Sequence, residues 1–267
     1  MSDTPFDAAS DVGVGVGARA LARRLVWFGV VFFWVALGVL VLVVSVPVTD
    51  AILLTVLLVA VPAMSIAQLP LIKGAVIERI PAYWSSIASL WLIGTACWFV
   101  GTRADGPAAL GLAGLPVGSL LGWTAGLTGA GLGVIGLFHW FGSRFGSPDT
   151  TLLRQLLPET REEKGIFLLL SVAAGSGEEL AYRGYVIPVL SPFLGLPAAV
   201  ALSTAVFGIM HGYQGIMGIL RTTLMGGVLA WGFLASGSLW PAILAHTLID
   251  MLAGVVLGER LLVRETE

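Results

Sequence analysis

Charge is what this chain has least of. Of its 267 residues only 11% are Asp, Glu, Lys or Arg, against roughly 25% in an ordinary soluble domain, so it lacks the polar surface needed to cover itself in water. Its single cysteine, Cys97, sits inside an apolar run, which excludes a disulfide framework and any CxxC metal site. Neither HExxH nor GxSxG occurs, so the usual zinc-protease helix and the serine-hydrolase elbow are both missing. There is no basic tract, and a formal net charge of -2 argues against a nucleic-acid partner. No internal repeat is evident, which removes the support an inverted-repeat transporter would have.

What the chain does have is long apolar runs. The first, from Leu25 to about Val46, is too long for a cleavable signal-peptide core and long enough to cross the hydrocarbon. It follows a polar, glycine-rich stretch over 1–24 that reads as a disordered tail. Further runs lie at about 51–69, 84–101, 119–140, 165–188, 197–215, 218–235 and 239–257. The expected fold is an all-α, polytopic integral membrane bundle of about eight transmembrane helices, multi-pass in the cell membrane with the lipid bilayer as its solvent. The breaks near Gly215 and Gly237 are short, and 107–117 reads as a re-entrant or interfacial piece.

With the N-terminus in the cytoplasm, residues 19, 23, 24, 73, 79, 144, 154, 161, 164, 221, 260 and 264 fall in inside segments, 12 of the 14 lysines and arginines. Only Arg103 falls outside, and Arg183 lies within a span. That bias obeys the positive-inside rule and points to both termini inside. The chain then divides into the tail 1–24, N-terminal transmembrane helices over 25–142, a cytoplasmic loop 143–164, a second transmembrane group over 165–258, and a cytoplasmic tail 259–267.

Nearly all the intramembrane ionisable groups belong to the second group: Glu178, Glu179 and Arg183 in GSGEELAYRG, then His211, then His246 with Asp250. His139, near the end of the fourth run, is the exception and reads as a structural histidine. A charged side chain at mid-membrane costs about 2.5–3.5 kcal/mol on insertion scales, so several in one small protein require partners or a function. Glu179 and Arg183 are four residues apart on one helical face, as are His246 and Asp250. Glu178 is rotated about 100° from Glu179. Glu179 is then expected to be neutralised by Arg183, an internal ion pair, and Glu178 to turn toward whatever the other helices bring.

A carboxylate in a low-dielectric pocket suits a general base that takes a proton from water and returns it to a leaving group, with histidines to hold the water or meet an oxyanion. Hydrolysis by an activated water is therefore the expected chemistry. Two imidazoles with one or two carboxylates, drawn from His211, His246, Glu178 and Asp250, also allow a divalent metal such as zinc without requiring one. A proton-coupled transporter, or a non-enzymatic membrane scaffold or regulator, would use the same side chains differently.

EELAYR at 178–183, FGIMH at 207–211 and HTLID at 246–250 together resemble the CAAX prenyl protease and bacteriocin-processing family (CPBP, or Abi) of intramembrane endopeptidases, whose pattern is EExxxR, FxxxH and HxxxN or HxxxD on separate helices. The resemblance covers about residues 165–257. It implies that Glu178 activates water, that His211 helps to bind it, that Glu179 and Arg183 support the site, and that His246 and Asp250 stabilise the oxyanion. It also implies a membrane-associated peptide or lipidated protein as substrate, prenylated or leader-bearing, no obligatory cofactor, and bacteriocin immunity as another use. An ionised Asp250 accepts hydrogen bonds and donates none, so as an oxyanion donor it would have to be protonated, or else it acts by orienting His246, and the metal alternative stays open.

Three smaller features complete the reading. Glycines at four-residue spacing, 122 and 126, 129 and 133, 208 and 212, suit close helix packing. Pro188 is expected to end the fifth run and Pro241 to open the eighth. Trp27, Trp34, Trp84, Trp91 and Trp98 are placed to face lipid or the interface.

Overall fold

The computed structural model describes residues 16–72, 74–145 and 151–258, and among these every regular element is helical. The parts of the predicted tails at 1–15 and 259–267, Lys73, and residues 146–150 of the predicted loop lie outside the described residues. All eight predicted positions carry helix. In chain order, α1 is Val16–Gly38 with a π-helical end, Val39–Val43, and α2 is Val48–Ile72 with a π-helical turn at Val56–Ala60. Then come α3 (Arg79–Gly101), α4 (Val117–Phe145) and a short α5 (Thr151–Gln155). The long α6 runs through Arg161–Glu178, a π-helical Glu179–Val186 and Ile187–Leu194. It is followed by α7 (Leu196–Met210), α8 (Gly215–Ser236) and α9 (Trp240–Leu257).

Six of these are long and apolar enough to cross a membrane. The two predicted spans outside that set are α6, whose glutamates and arginine depress its hydropathy, and α7, whose 15 residues fall short of the roughly 20 that a span needs. Both lead into the polar groups singled out above.

Three expectations are corrected and one, the piece at 107–117, is made more specific. The first helix begins at Val16 rather than Leu25, because GARALARRL is built of strong helix formers and carries the helix back through Arg19, Arg23 and Arg24. The piece at 107–117 is a 3-10 turn, Gly106–Leu110, that buries Leu110. Pro188 does not end its helix. The widened turn before it moves the carbonyls that its ring would strike, and α6 continues to Gly195, where φ is +76°. Lastly, Gly122, Gly126, Gly129 and Gly133 face open space, so no helix approaches there.

The close approaches are elsewhere and surround the motif. A Cβ on Gly177 would sit 2.6 Å from the Leu90 carbonyl of α3, and one on Gly175 would sit 2.8 Å from the Ile243 carbonyl of α9. Gly94 of α3 faces the Gly177 backbone. The glycines of GSGEE therefore let α3 and α9 close on α6 immediately beside the acidic pair. Gly208 does the same for α7 and α8, at the Ile219 carbonyl.

Polar contacts fasten the bundle at both ends. Thr160 and Glu163 form a capping box at the start of α6, and the Thr160 and Glu159 backbone N–H groups hold the Glu163 carboxyl below the ordinary carboxylate range. Arg79 of α3 reaches Glu159 at 2.5 Å and the Gln155 carbonyl at 2.7 Å, while the Tyr83 hydroxyl donates to the Leu156 carbonyl. About 33 Å away along α3, Arg103 takes Asp50 in a two-point ion pair that keeps its guanidinium charged. Tyr185 of α6 donates to the same carboxylate at 2.7 Å.

Replacing Gly177 by Ala drives a methyl into the Leu90 backbone and is expected to destabilise the protein by about 1–3 kcal/mol. Gly126→Ala, into open space, should be neutral or slightly stabilising. Thermal unfolding of the two variants in detergent reads the difference.

Candidate active site

A cavity of about 700 Å³ opens between α2, α3, α6, α8 and α9. Its lining includes Glu178 of α6, His246 and Asp250 of α9, and His211 from the turn after α7. Sequence spacing alone placed these residues on different spans; the fold converges them. His139 does not line it.

Beneath the cavity is a fully enclosed ion pair. Arg183 Nη1 donates to Glu179 Oε1 at 2.8 Å, and both side chains are 0% exposed. The guanidinium carbon lies 4.2 Å from the centre of the Phe207 ring, so an aromatic face covers the cation. Gly226 of α8 leaves the room for this: a Cβ there would approach Arg183 Nη2 to 2.7 Å. Sequence reasoning anticipated the pair and missed its surroundings, although Phe207 was in view as the first letter of FGIMH.

Glu179 has a second partner. His246 Nδ1 donates to the same Oε1 at 2.8 Å. With Nδ1 committed, Nε2 is the nitrogen left toward the cavity, 3.8 Å from Glu178 Oε2 and 3.6 Å from Asp250 Oδ2. The carboxylate at bonding distance from His246 is therefore Glu179, and Asp250, its i+4 neighbour, stands farther off. His211 is set in a similar way. Its Nδ1 donates to the Phe207 carbonyl at 2.8 Å, which fixes the tautomer, since a carbonyl only accepts, and leaves Nε2 as the acceptor.

The adjacent glutamates thus lie in different environments. Glu179 is held by a cation and an imidazole; Glu178 has no hydrogen bond at these distances and its side chain is 14% exposed, toward the cavity. Asp250 is more open, at 36%. Among the described residues no group of three His, Cys, Asp or Glu side chains is disposed to hold a metal ion.

The rest of the lining was not foreseen. Ser85, Ser86 and Ser89 of α3 and Ser65 and Gln68 of α2 supply polar lining, and Ile135, Met225 and Ile249 apolar lining. Tyr213, Gln214 and Arg221 stand near His211, where the Gln214 amide donates to the Tyr213 hydroxyl and Arg221 donates to the Gln214 carbonyl oxygen. None of these carries a spacing signal that would have marked it in advance.

Removing Arg183 leaves the Glu179 charge enclosed without its cation. Arg183→Leu is expected to cost about 3–5 kcal/mol of stability, and Glu178→Gln far less, because Glu178 has no such partner to abandon. Chemical unfolding in detergent, followed by helical circular dichroism, separates the two.

No curated protein and no solved structure matches the chain. A family model does, over residues 161–252, from the first turn of α6 to just past Asp250. That segment holds all of the motif residues, and over it the chain is similar to the family described as type II CAAX prenyl endopeptidase Rce1-like.

Proposed function

We propose that this protein is a membrane-embedded endopeptidase that hydrolyses peptide bonds with a water activated by Glu178. The observation that carries the reading is the different treatment of two adjacent carboxylates: Glu179 is consumed by Arg183 and His246, and Glu178 is left facing a cavity that two imidazoles also line. A protease family match over the same helices supports it.

In this mechanism Glu178 takes a proton from a water whose other hydrogen is accepted by His211 Nε2. The oxygen attacks the scissile carbonyl carbon, and the developing oxyanion accepts from the Nε2–H of His246, whose ring acts here as the imidazolium favoured by the three carboxylates around it and is kept in place by Glu179. Glu178 then returns the proton to the leaving amine. Asp250, across the imidazole, supports His246. No metal or other cofactor is needed for these steps.

The substrate on this reading is a membrane-associated peptide, prenylated as for the family's named activity or carrying a leader. The cavity has apolar and hydroxyl-bearing walls, which suits a chain that is partly lipid-like and partly peptide. Its lining includes Leu153, Leu156, Arg221 and Gly258, at the end of the bundle that also carries Arg79, and none of Asp50, Arg103 or Ser238 at the other. Given the lysine and arginine bias, that end faces the cytoplasm, with both termini inside, eight membrane-embedded helices and the substrate drawn from the inner leaflet of the cell membrane.

Purified protein is expected to cleave within a panel of quenched-fluorescence peptides, one farnesylated at a CAAX terminus and others leader-like, and to keep that activity in a strong chelator. Glu178→Ala should lower the rate by about 100-fold or more. Cleavage indifferent to Glu178 would sink the mechanism, and chelator-sensitive cleavage restored by zinc would replace it with a metal-dependent one.

Topology is read separately, in a Cys97→Ala background, by a membrane-impermeant maleimide added to intact cells. Asp105→Cys should label and Glu78→Cys should not. The opposite pattern would invert the orientation.

A further inference from the structure

The catalytic reading leaves one feature of α6 unexplained. Its backbone is π-helical over Glu179–Val186, beginning at the second glutamate. Such turns are rare and occur often at functional sites. In a bilayer any carbonyl that a widened turn leaves without its usual donor has no solvent to turn to.

The widened turn has a geometric consequence. In an α-helix, residues four apart are offset by about 40° around the axis; with more residues per turn that offset moves through zero toward the other side, and with it the direction in which Arg183 meets Glu179. The 2.8 Å ion pair is made across this turn. Something outside α6 must hold the turn open.

Ser203 of α7 is placed to do so. Most hydroxyls on these helices bond back to the carbonyl of their own preceding turn, as Thr55 does to Ala51, Ser89 to Ser85, Ser171 to Phe167 and Ser191 to Ile187. Ser203 does not. Fully buried, it reaches across to α6 and donates to the Tyr182 carbonyl at 2.8 Å, within the π-helical turn and one residue before Arg183. The Tyr182 hydroxyl crosses in turn to the Leu57 carbonyl at 3.1 Å, inside the π-helical turn of α2. Ser203, Phe207 and His211 recur every four residues along one stripe, which supplies in order a donor to the α6 backbone, a ring beneath Arg183 and an imidazole in the cavity.

We infer that Ser203 is a positioning residue for the site: its bond to the Tyr182 carbonyl holds the π-helical turn of α6 in the register that joins Glu179 to Arg183 and His246 and aims Glu178 into the cavity. Its effect on turnover rests on the proteolytic reading above; its effect on geometry does not.

The test is Ser203→Ala, which removes one oxygen and almost no packing, read in two ways on the full chain in detergent micelles. The protein has three histidines, so histidine-selective ¹⁵N labelling resolves His246, whose Nδ1 bond to Glu179 reports on the turn, beside His139 as an internal control. The expected result is a displaced His246 signal with that of His139 unchanged. On a cleaved peptide, kcat should fall by about 10- to 100-fold with KM within about twofold, the pattern of misplaced catalytic groups in an intact binding site.

A His246 signal superimposed on that of the wild type would overturn the inference, whatever the kinetics. So would a displaced signal with kcat unaltered, since the turn would then not govern the chemistry. A displaced signal in a protein whose wild type cleaves no peptide would uphold the hold of Ser203 on the site and count against the protease reading instead.

Discussion

An arginine and a glutamate with no exposed surface, inside a helical bundle built for lipid, impose conditions on everything around them. Each charge alone would be expelled from such a place. Together they are tolerated because the Glu179–Arg183 bond is direct, a Phe207 face covers the guanidinium, and His246 takes up more of the carboxylate. Those partners come from α7 and α9, and room for the guanidinium comes from Gly226 of α8. Satisfying one ion pair thus draws four helices to a point, and that point is the floor of the cavity.

The functional groups inherit their positions from this floor. His246 is turned by Glu179, so its other nitrogen meets the cavity; His211 is turned by the Phe207 carbonyl four residues before it. Glu178, one residue from the buried pair, is carried to the open side by helical rotation alone. A single dipeptide therefore provides both a carboxylate enclosed in an ion pair and one open to the cavity. Its glycine-rich approach, GSG, is part of the same arrangement, because side chains there would hold α3 and α9 away.

The two ends of the bundle complement the centre. Arg79, Glu159 and Glu163 tie α3 to the start of α6, and Asp50, Arg103 and Tyr185 tie α2 and α3 to its far half. The helix bearing the motif is thereby held on both sides of its irregular turn. Rigid support of that kind is what a catalytic constellation requires, since small displacements of its groups are expensive in rate.

Much of this was legible in the residues. Apolar runs and scarce charge determined an all-helical membrane chain and the positions of its helices, because a bilayer permits few other ways to satisfy a backbone. Spacing of three and four residues determined that Glu179 would face Arg183 and Glu178 would not, since helical rotation is local. The motifs were readable for the same reason: each is one short, local stretch of chain. What spacing cannot carry is contact between helices. That Glu179 rather than Asp250 is bonded to His246, that Phe207 lies under Arg183, that Gly177 and not Gly126 is the point of close approach, and that α6 passes Pro188 through a π-helical turn bonded by Ser203 were decided only by tertiary packing. Those partners stand tens of residues apart, and their meeting depends on how several helices share one small volume.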